Sequence, residues 1–99
     1  MIVKPKGSLR SVIRRYYGGN KNSYTDGDWS IANGGNDCWF EIYLNNEFFI
    51  TCVDGVLGGS LSSLFSYGMS YDDALNYFNK CIKIILDEYP NTSYTKEKC

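Results

Sequence analysis

Four cysteines, at positions 38, 52, 81 and 99, and a complete absence of histidine bound the chemistry of this 99-residue chain. The cysteines are separated by 13, 28 and 17 residues, so no pair has the C-x₂₋₄-C spacing of a structural zinc knuckle. Cys38, Cys52 and Cys81 each fall at an apolar position of the patterns described below, which reads as reduced thiols buried as small hydrophobes. Cys99, at the end of the sequence, is expected to be exposed and able to cross-link chains. Lack of histidine removes the Ser-His and Cys-His nucleophile pairs, together with the side chain best suited to moving protons near neutral pH. Carboxylates alone can hydrolyse glycosides, but two acids must then flank a substrate cleft, and a chain this short has little room for one. The expectation is a protein that is not an enzyme and uses neither metal nor cofactor.

Two local patterns resemble ligand loops only in part. Asp26-Gly27-Asp28 opens like a calcium loop, yet the sixth position is Ile31 where an EF-hand needs Gly, and the twelfth is Asp37 rather than Glu. A solvated turn is the simpler reading. The run from Asp54 to Ser60 is glycine-rich but lacks the Gly-Lys-Ser/Thr ending of a phosphate-binding loop, which leaves a flexible connection. Asn91-Thr92-Ser93 matches a glycosylation sequon, which matters only in an exported protein.

The elements that would position any site follow from periodicity. Ser8 reads as an N-cap, and Leu9, Val12, Ile13 and Tyr16 repeat at i, i+3, i+4 and i+7, with Gly18-Gly19 as the stop. Arg10, Arg14 and Arg15 lie away from that apolar stripe, giving a short basic amphipathic helix. Residues 20–28 are polar and turn-prone, 28–33 suit a strand, and 34–37 form a turn. Residues 38–44 and 48–53 are dense in aromatic and β-branched side chains and read as the clearest strands. Asp54-Gly55 is expected to end the sheet. Leu61, Leu64 and Phe65 suggest a short helix, and Ser70 with Asp73 resembles a capping box ahead of a helix whose apolar residues run from Ala74 to Tyr89 and which Pro90 ends. The expected fold is therefore α+β, a three-stranded antiparallel sheet packed on helices in the order α-β-β-β-(short α)-α. Residues 1–90 would form a single compact domain and 91–99 a flexible tail.

Two registers compete in the central hairpin. A two-residue Asn45-Asn46 turn places Ile42 opposite Phe49, whereas a three-residue turn places Leu44 opposite Phe48 and Ile42 opposite Ile50. Turn chemistry favours the first. Burial favours the second, because it gathers Cys38, Phe40, Ile42, Leu44, Phe48, Ile50 and Cys52 on one apolar face. The second is the expected register, and it leaves Trp39, Glu41, Tyr43, Phe49, Thr51 and Val53 on the opposite face.

The net charge of −1 conceals a segregation. Residues 1–21 carry +6 with no acid, residues 22–79 carry −8 with no base, and the last twenty carry +1. Such asymmetry bears on partners rather than on fold. An uncovered sheet face with Asp26, Asp28, Asp37, Trp39, Glu41, Tyr43, Glu47 and Phe49 would be an acid-and-aromatic protein-recognition patch. Arg10, Arg14 and Arg15 are the alternative, a nucleic-acid-binding helix face.

The α-β-β-β-α order is similar to the double-stranded RNA-binding domain. That family starts its last helix with a lysine-rich, phosphate-directed motif, whereas Ser70-Tyr71-Asp72-Asp73-Ala74-Leu75 here has the opposite sign. In size, element order, the base-free stretch 22–79 and richness in Asn and Tyr, the chain also resembles the small phage-borne anti-CRISPR inhibitors. That resemblance implies a non-catalytic inhibitor that occupies the positively charged nucleic-acid-binding surface of a Cas nuclease. Immunity proteins against nuclease toxins use the same electrostatics. With no apolar run long enough to span a membrane and no export segment, the expected location is the bacterial cytoplasm and the expected partner a nuclease, with no membrane involved.

Overall fold

Helix α1, Leu9–Gly18, begins where the sequence signals it. Ser8 is extended, and its hydroxyl accepts the Ser11 N–H at 3.2 Å, satisfying one of the donors a helix start leaves open. Leu9, Val12, Ile13 and Tyr16 are the buried stripe, and the Gly19 N–H closes the helix onto the Arg15 carbonyl. The computed structural model describes residues 3–91.

The sheet has five strands, two more than expected: β1 Tyr24–Asp26, β2 Trp29–Asn33, β3 Trp39–Leu44, β4 Glu47–Val53 and β5 Val56–Gly59. They form an antiparallel meander in the order β1-β2-β3-β4-β5. Both additions come from segments that read as loops, and two-residue turns create them. Gly27, at φ 61°, folds β1 back on β2. Asp54 and Gly55, at φ 51° and 81°, fold β5 back on β4, so this Asp-Gly pair makes a hairpin rather than ending the sheet.

The central hairpin satisfies turn chemistry and burial at once. Asn45 and Asn46 adopt φ 53° and 63°, the tight two-residue turn, and pair Leu44 with Glu47 and Tyr43 with Phe48. Between Ile42 and Tyr43 the register shifts, and from there Ile42 faces Ile50 and Phe40 faces Cys52, as burial demands. The extra residue is Phe49, a β-bulge that turns two neighbouring side chains, Phe49 and Ile50, into the core. The expected three-residue turn is thus replaced, and Phe48 and Phe49 exchange faces.

Both long helices lie on the Phe40–Ile42 face of the sheet. Tyr16 of α1 meets Phe40 at 5.6 Å between ring centroids, and Phe78 of α3, Tyr71–Asn91, meets Phe49 edge-on at 5.5 Å. The short helix α2, Ser62–Phe65, contributes Leu64 to the same core. Ser70 starts α3 as expected, its hydroxyl accepting the Asp73 N–H at 3.2 Å. The helix runs through Pro90 to Asn91 rather than stopping before the proline, whose fixed φ is itself helical. Asn91 is the last described residue of α3, and the rest of the expected tail, including Thr92, Ser93 and Cys99, lies outside the described residues.

Candidate protein-binding surface

Alternation along β3 decides what the other sheet face carries. Phe40, Ile42 and Leu44 point into the core, so Trp39, Glu41 and Tyr43 point away from both helices. Across the bulge Phe48 joins Tyr43, their rings edge-to-face at 6.4 Å and 81°. Val53 pairs with Trp39 on one side and with Val56 on the other, which carries the face onto β5. Phe48, Val53 and Val56 keep 38%, 40% and 71% of their surface in solvent, and Glu41, Tyr43 and Thr51 are half-buried among their neighbours. The helices leave this face uncovered.

Polar groups fix the face in place. The Tyr43 hydroxyl donates to Glu41 Oε1 at 2.9 Å, and the Thr51 hydroxyl donates to the Phe40 carbonyl at 3.2 Å. The hydrogen bond to Glu41 raises the Tyr43 pKa, with burial as the lesser cause, so the Tyr43 hydroxyl stays neutral in the middle of the face. The Trp39 ring lies over the turn before β3. A Cβ at Gly34 would stand 2.3 Å from that ring, so glycine is required there for the indole to lie flat.

The charged residues sort by layer. Every strand falls within Tyr24–Gly59, and that segment holds six acids and no Lys or Arg. All described bases belong to the N-terminal segment, α1, the link after it, or α3. The charge asymmetry along the chain is therefore an asymmetry between an acidic sheet layer and a helical layer that holds the bases.

Not all the candidate acids belong to the open face. Asp26 accepts the Ser8 N–H at 3.1 Å, and Asp28 accepts the Lys6 N–H at 3.0 Å and the Tyr67 hydroxyl at 2.9 Å. These bonds clip the N-terminal segment onto the β1–β2 turn, and they hold the Asp28 carboxyl below its ordinary pKa, the Lys6 N–H first and Tyr67 second. The same approach demands Gly7, whose φ is 85° and whose added Cβ would lie 2.1 Å from the Asp26 carbonyl oxygen. Asp37 sits exposed in the β2–β3 turn, where its main-chain carbonyl accepts Lys21 Nζ at 3.3 Å. Glu47 is exposed at the hairpin tip. Phe49 is fully buried and takes no part in the surface, a correction that follows from the bulge. Phe48 and Val56 take the exposed apolar positions instead, and an Asn-Asn turn followed by a bulge is the signal that would have placed Phe48 there.

The three arginines of α1 turn toward the protein. Arg10 Nη1 pairs with Asp87 at 2.5 Å and also with Glu88, and Arg14 Nε reaches Glu88 Oε1 at 3.0 Å. Burial raises the pKa of Glu88, whose surface is almost wholly covered, but the hydrogen bonds of Arg14 and Arg10 outweigh it and hold the carboxyl below its ordinary value. Arg15 Nη1 lies 3.3 Å from the Thr25 carbonyl oxygen.

Cys52 and Cys81 are buried, reduced cysteines as expected, and burial pushes the Cys81 thiol up to about 12, far from a reactive thiolate. Cys38 departs from expectation: it is half-buried and disulfide-bonded. Among the described residues no group of three or more His, Cys, Asp or Glu is placed to share a metal ion, and no helix is long and apolar enough to cross a membrane. No protein-family model matches the chain, and no curated protein or solved structure is significantly similar to it.

Proposed function

We propose that this chain is a non-catalytic binding protein whose open sheet face docks on a positively charged surface of a protein partner. The observation that carries the proposal is the union of exposed apolar side chains (Phe48, Val53 and Val56, beside half-buried Tyr43) with a strand layer that holds acids and no base. Flat, rigid aromatic anchors supply the packing energy of such interfaces, and opposite charge supplies orientation and speed of association. Glu41, fixed by Tyr43, is the central charge, with Asp37, Glu47 and Asp54 at the ends of the same strands.

Nucleic-acid-binding nucleases offer the matching chemistry, because their channels are lined with bases. The specific reading is an anti-CRISPR inhibitor that blocks a Cas nuclease inside the bacterial cell, and an immunity-type inhibitor of a nuclease toxin has the same surface requirement. Direct nucleic-acid binding through α1 is disfavoured, since Arg10 and Arg14 are paired with Asp87 and Glu88 and Arg15 with a main-chain carbonyl. The test is affinity capture from bacterial lysate with the wild type and with Glu41→Lys/Phe48→Ala. A nucleic-acid-binding protein retained only by the wild type, and displaced by added DNA, supports the proposal. Recovery of nucleic acid with no protein, or equal retention by the variant, overturns it.

A further inference from the structure

A second exposed apolar surface runs along α3, and its chemistry is unlike that of the sheet face. Tyr71, Leu75, Phe78, Ile82 and Leu86 recur at spacings of four, three, four and four, which sets them on one line of a helix with 3.6 residues per turn. The fully buried side of α3 adjoins this line and is formed by Ala74, Cys81, Ile85 and Glu88. Tyr71, Leu75 and Leu86 keep 63%, 38% and 49% of their surface in solvent, and Phe78 and Ile82 are half-buried. Phe65 of α2, itself exposed, belongs to the short helix packed beside α3. Phe78 and Ile82 rest their inner sides on the domain core, Phe78 against Phe49, so the outward edge of the stripe, carried by Tyr71, Leu75 and Leu86, has the spacing of a helix–helix seam.

We infer that the occupant of this seam is α3 of a second copy, packed antiparallel. The charges beside the stripe select both the occupant and its direction. Asp72 and Lys83 lie on the same flank of the stripe, one near each end. An antiparallel two-fold pair that sets Tyr71 against Leu86 and Leu75 against Ile82 of the second copy brings like flanks together. Asp72 of each chain then falls within two residues, about 3 Å along the axis, of Lys83 on the other. The same pairing occurs twice. A parallel pair would instead set both aspartates at one level and both lysines at another, with no opposite charge alongside. Polar Asn79 at the centre of the flank is compatible with the two-fold, where it would meet its own copy. The inference does not depend on the proposed function, because the seam and the open sheet face share no residue and a pair formed through α3 leaves the open sheet face of each copy uncovered.

Sedimentation equilibrium of the full chain over a range of concentrations, with and without reductant, tests this. Wild type is expected to approach twice the 11.3 kDa chain mass in both buffers. Leu75→Glu and Leu86→Glu, at solvent-facing positions, are expected to remain monomeric with an unchanged circular dichroism spectrum. Lys83→Asp should weaken association about five-fold, the value of two exposed ion pairs, and Asp72→Lys combined with Lys83→Asp should restore it. A wild type that stays at the chain mass up to about 1 mM overturns the inference, as does a dimer that is indifferent to both glutamate variants. A dimer that both glutamates abolish, but that the charge reversal does not weaken, overturns the antiparallel arrangement.

Discussion

Tyr43 stands opposite Phe48 across the β3–β4 hairpin, one residue out of step with the Ile42–Ile50 pair beside it. That offset is the bulge at Phe49, and it decides which phenylalanine is core and which is surface. Phe49→Ala is expected to cost about 3–5 kcal/mol, because it empties a fully enclosed site between Trp29 and Phe78. Phe48→Ala should cost less than about 1 kcal/mol and act on partner binding instead. Denaturant unfolding of the two variants separates them, and the reverse ranking would mean that the hairpin holds the unbulged register.

The hairpin tip gives an independent check. Asn46 adopts φ 63°, a conformation glycine enters without strain. Asn46→Gly should therefore raise stability by about 0.5 kcal/mol and Asn46→Val lower it by about 1–2 kcal/mol. Thermal unfolding reads both. Loss of stability in the glycine variant would contradict the two-residue turn.

The Arg10–Glu88–Arg14 cluster predicts acid sensitivity. The Glu88 carboxyl, and that of Asp28, titrates lower in the folded chain than in the unfolded one. The stability each contributes is fully present above the unfolded carboxyl range of about 4 and is lost as pH falls through the lower folded value. Glu88→Gln should lower stability at neutral pH by about 1–3 kcal/mol and flatten the decline below pH of about 4. A Glu88→Gln variant with the wild-type acid profile would place the sensitivity elsewhere.

At the alkaline end the tyrosines take over. Burial is the main cause that pushes both Tyr67 and Tyr77 up to about 12, with the Asp28 bond adding to Tyr67. Because these folded values exceed the ordinary tyrosine value, their contribution is complete below about 10 and disappears as pH rises toward 12. Ultraviolet titration should show these two ionising late and together with unfolding. Tyr67→Phe removes the bond to Asp28 and should cost about 1 kcal/mol at neutral pH.

Thiol chemistry should follow burial. Iodoacetamide is expected to leave Cys52 and Cys81 unmodified in the native chain and to label both after denaturation. Cys38 should react only after reduction. Labelling of Cys38 in the unreduced, denatured chain would show it to be a thiol, the state a reducing cytoplasm favours.

What the sequence made legible was what periodicity encodes. The α1 stripe from Leu9 to Tyr16, the Ser70 cap and the core residues of α3 were all apparent, since a helix buries residues at fixed intervals. β1 and β5 were hidden because three or four residues, two of them glycines in β5, are too few to show alternation. Their turns were visible in principle, as Asp26-Gly27 and Asp54-Gly55, but a turn signal does not say whether a strand follows. Two sound rules conflicted at Asn45-Asn46, and a bulge, which neither rule contains, resolved them. Among the candidate residues, composition identified the acidic layer but could not separate Glu41, set on the open face, from Asp26 and Asp28, which clip the N-terminal segment. Nor could it foresee that Arg10 and Arg14 meet Glu88, a contact 74 to 78 residues apart in the chain.

The most direct measurement is the dissociation constant of the chain with the nucleic-acid-binding protein it captures, for two surface variants that leave the core intact. Glu41→Lys/Phe48→Ala alters the open sheet face, and Lys4→Ala/Lys80→Ala alters exposed bases of the helical layer. The sheet-face variant is predicted to bind at least about a hundred-fold more weakly, the scale of losing a central aromatic anchor and reversing a charge. The helical-layer variant should bind as the wild type does. Weakened binding by the lysine variant alone, with the sheet-face variant unaffected, would contradict the central claim.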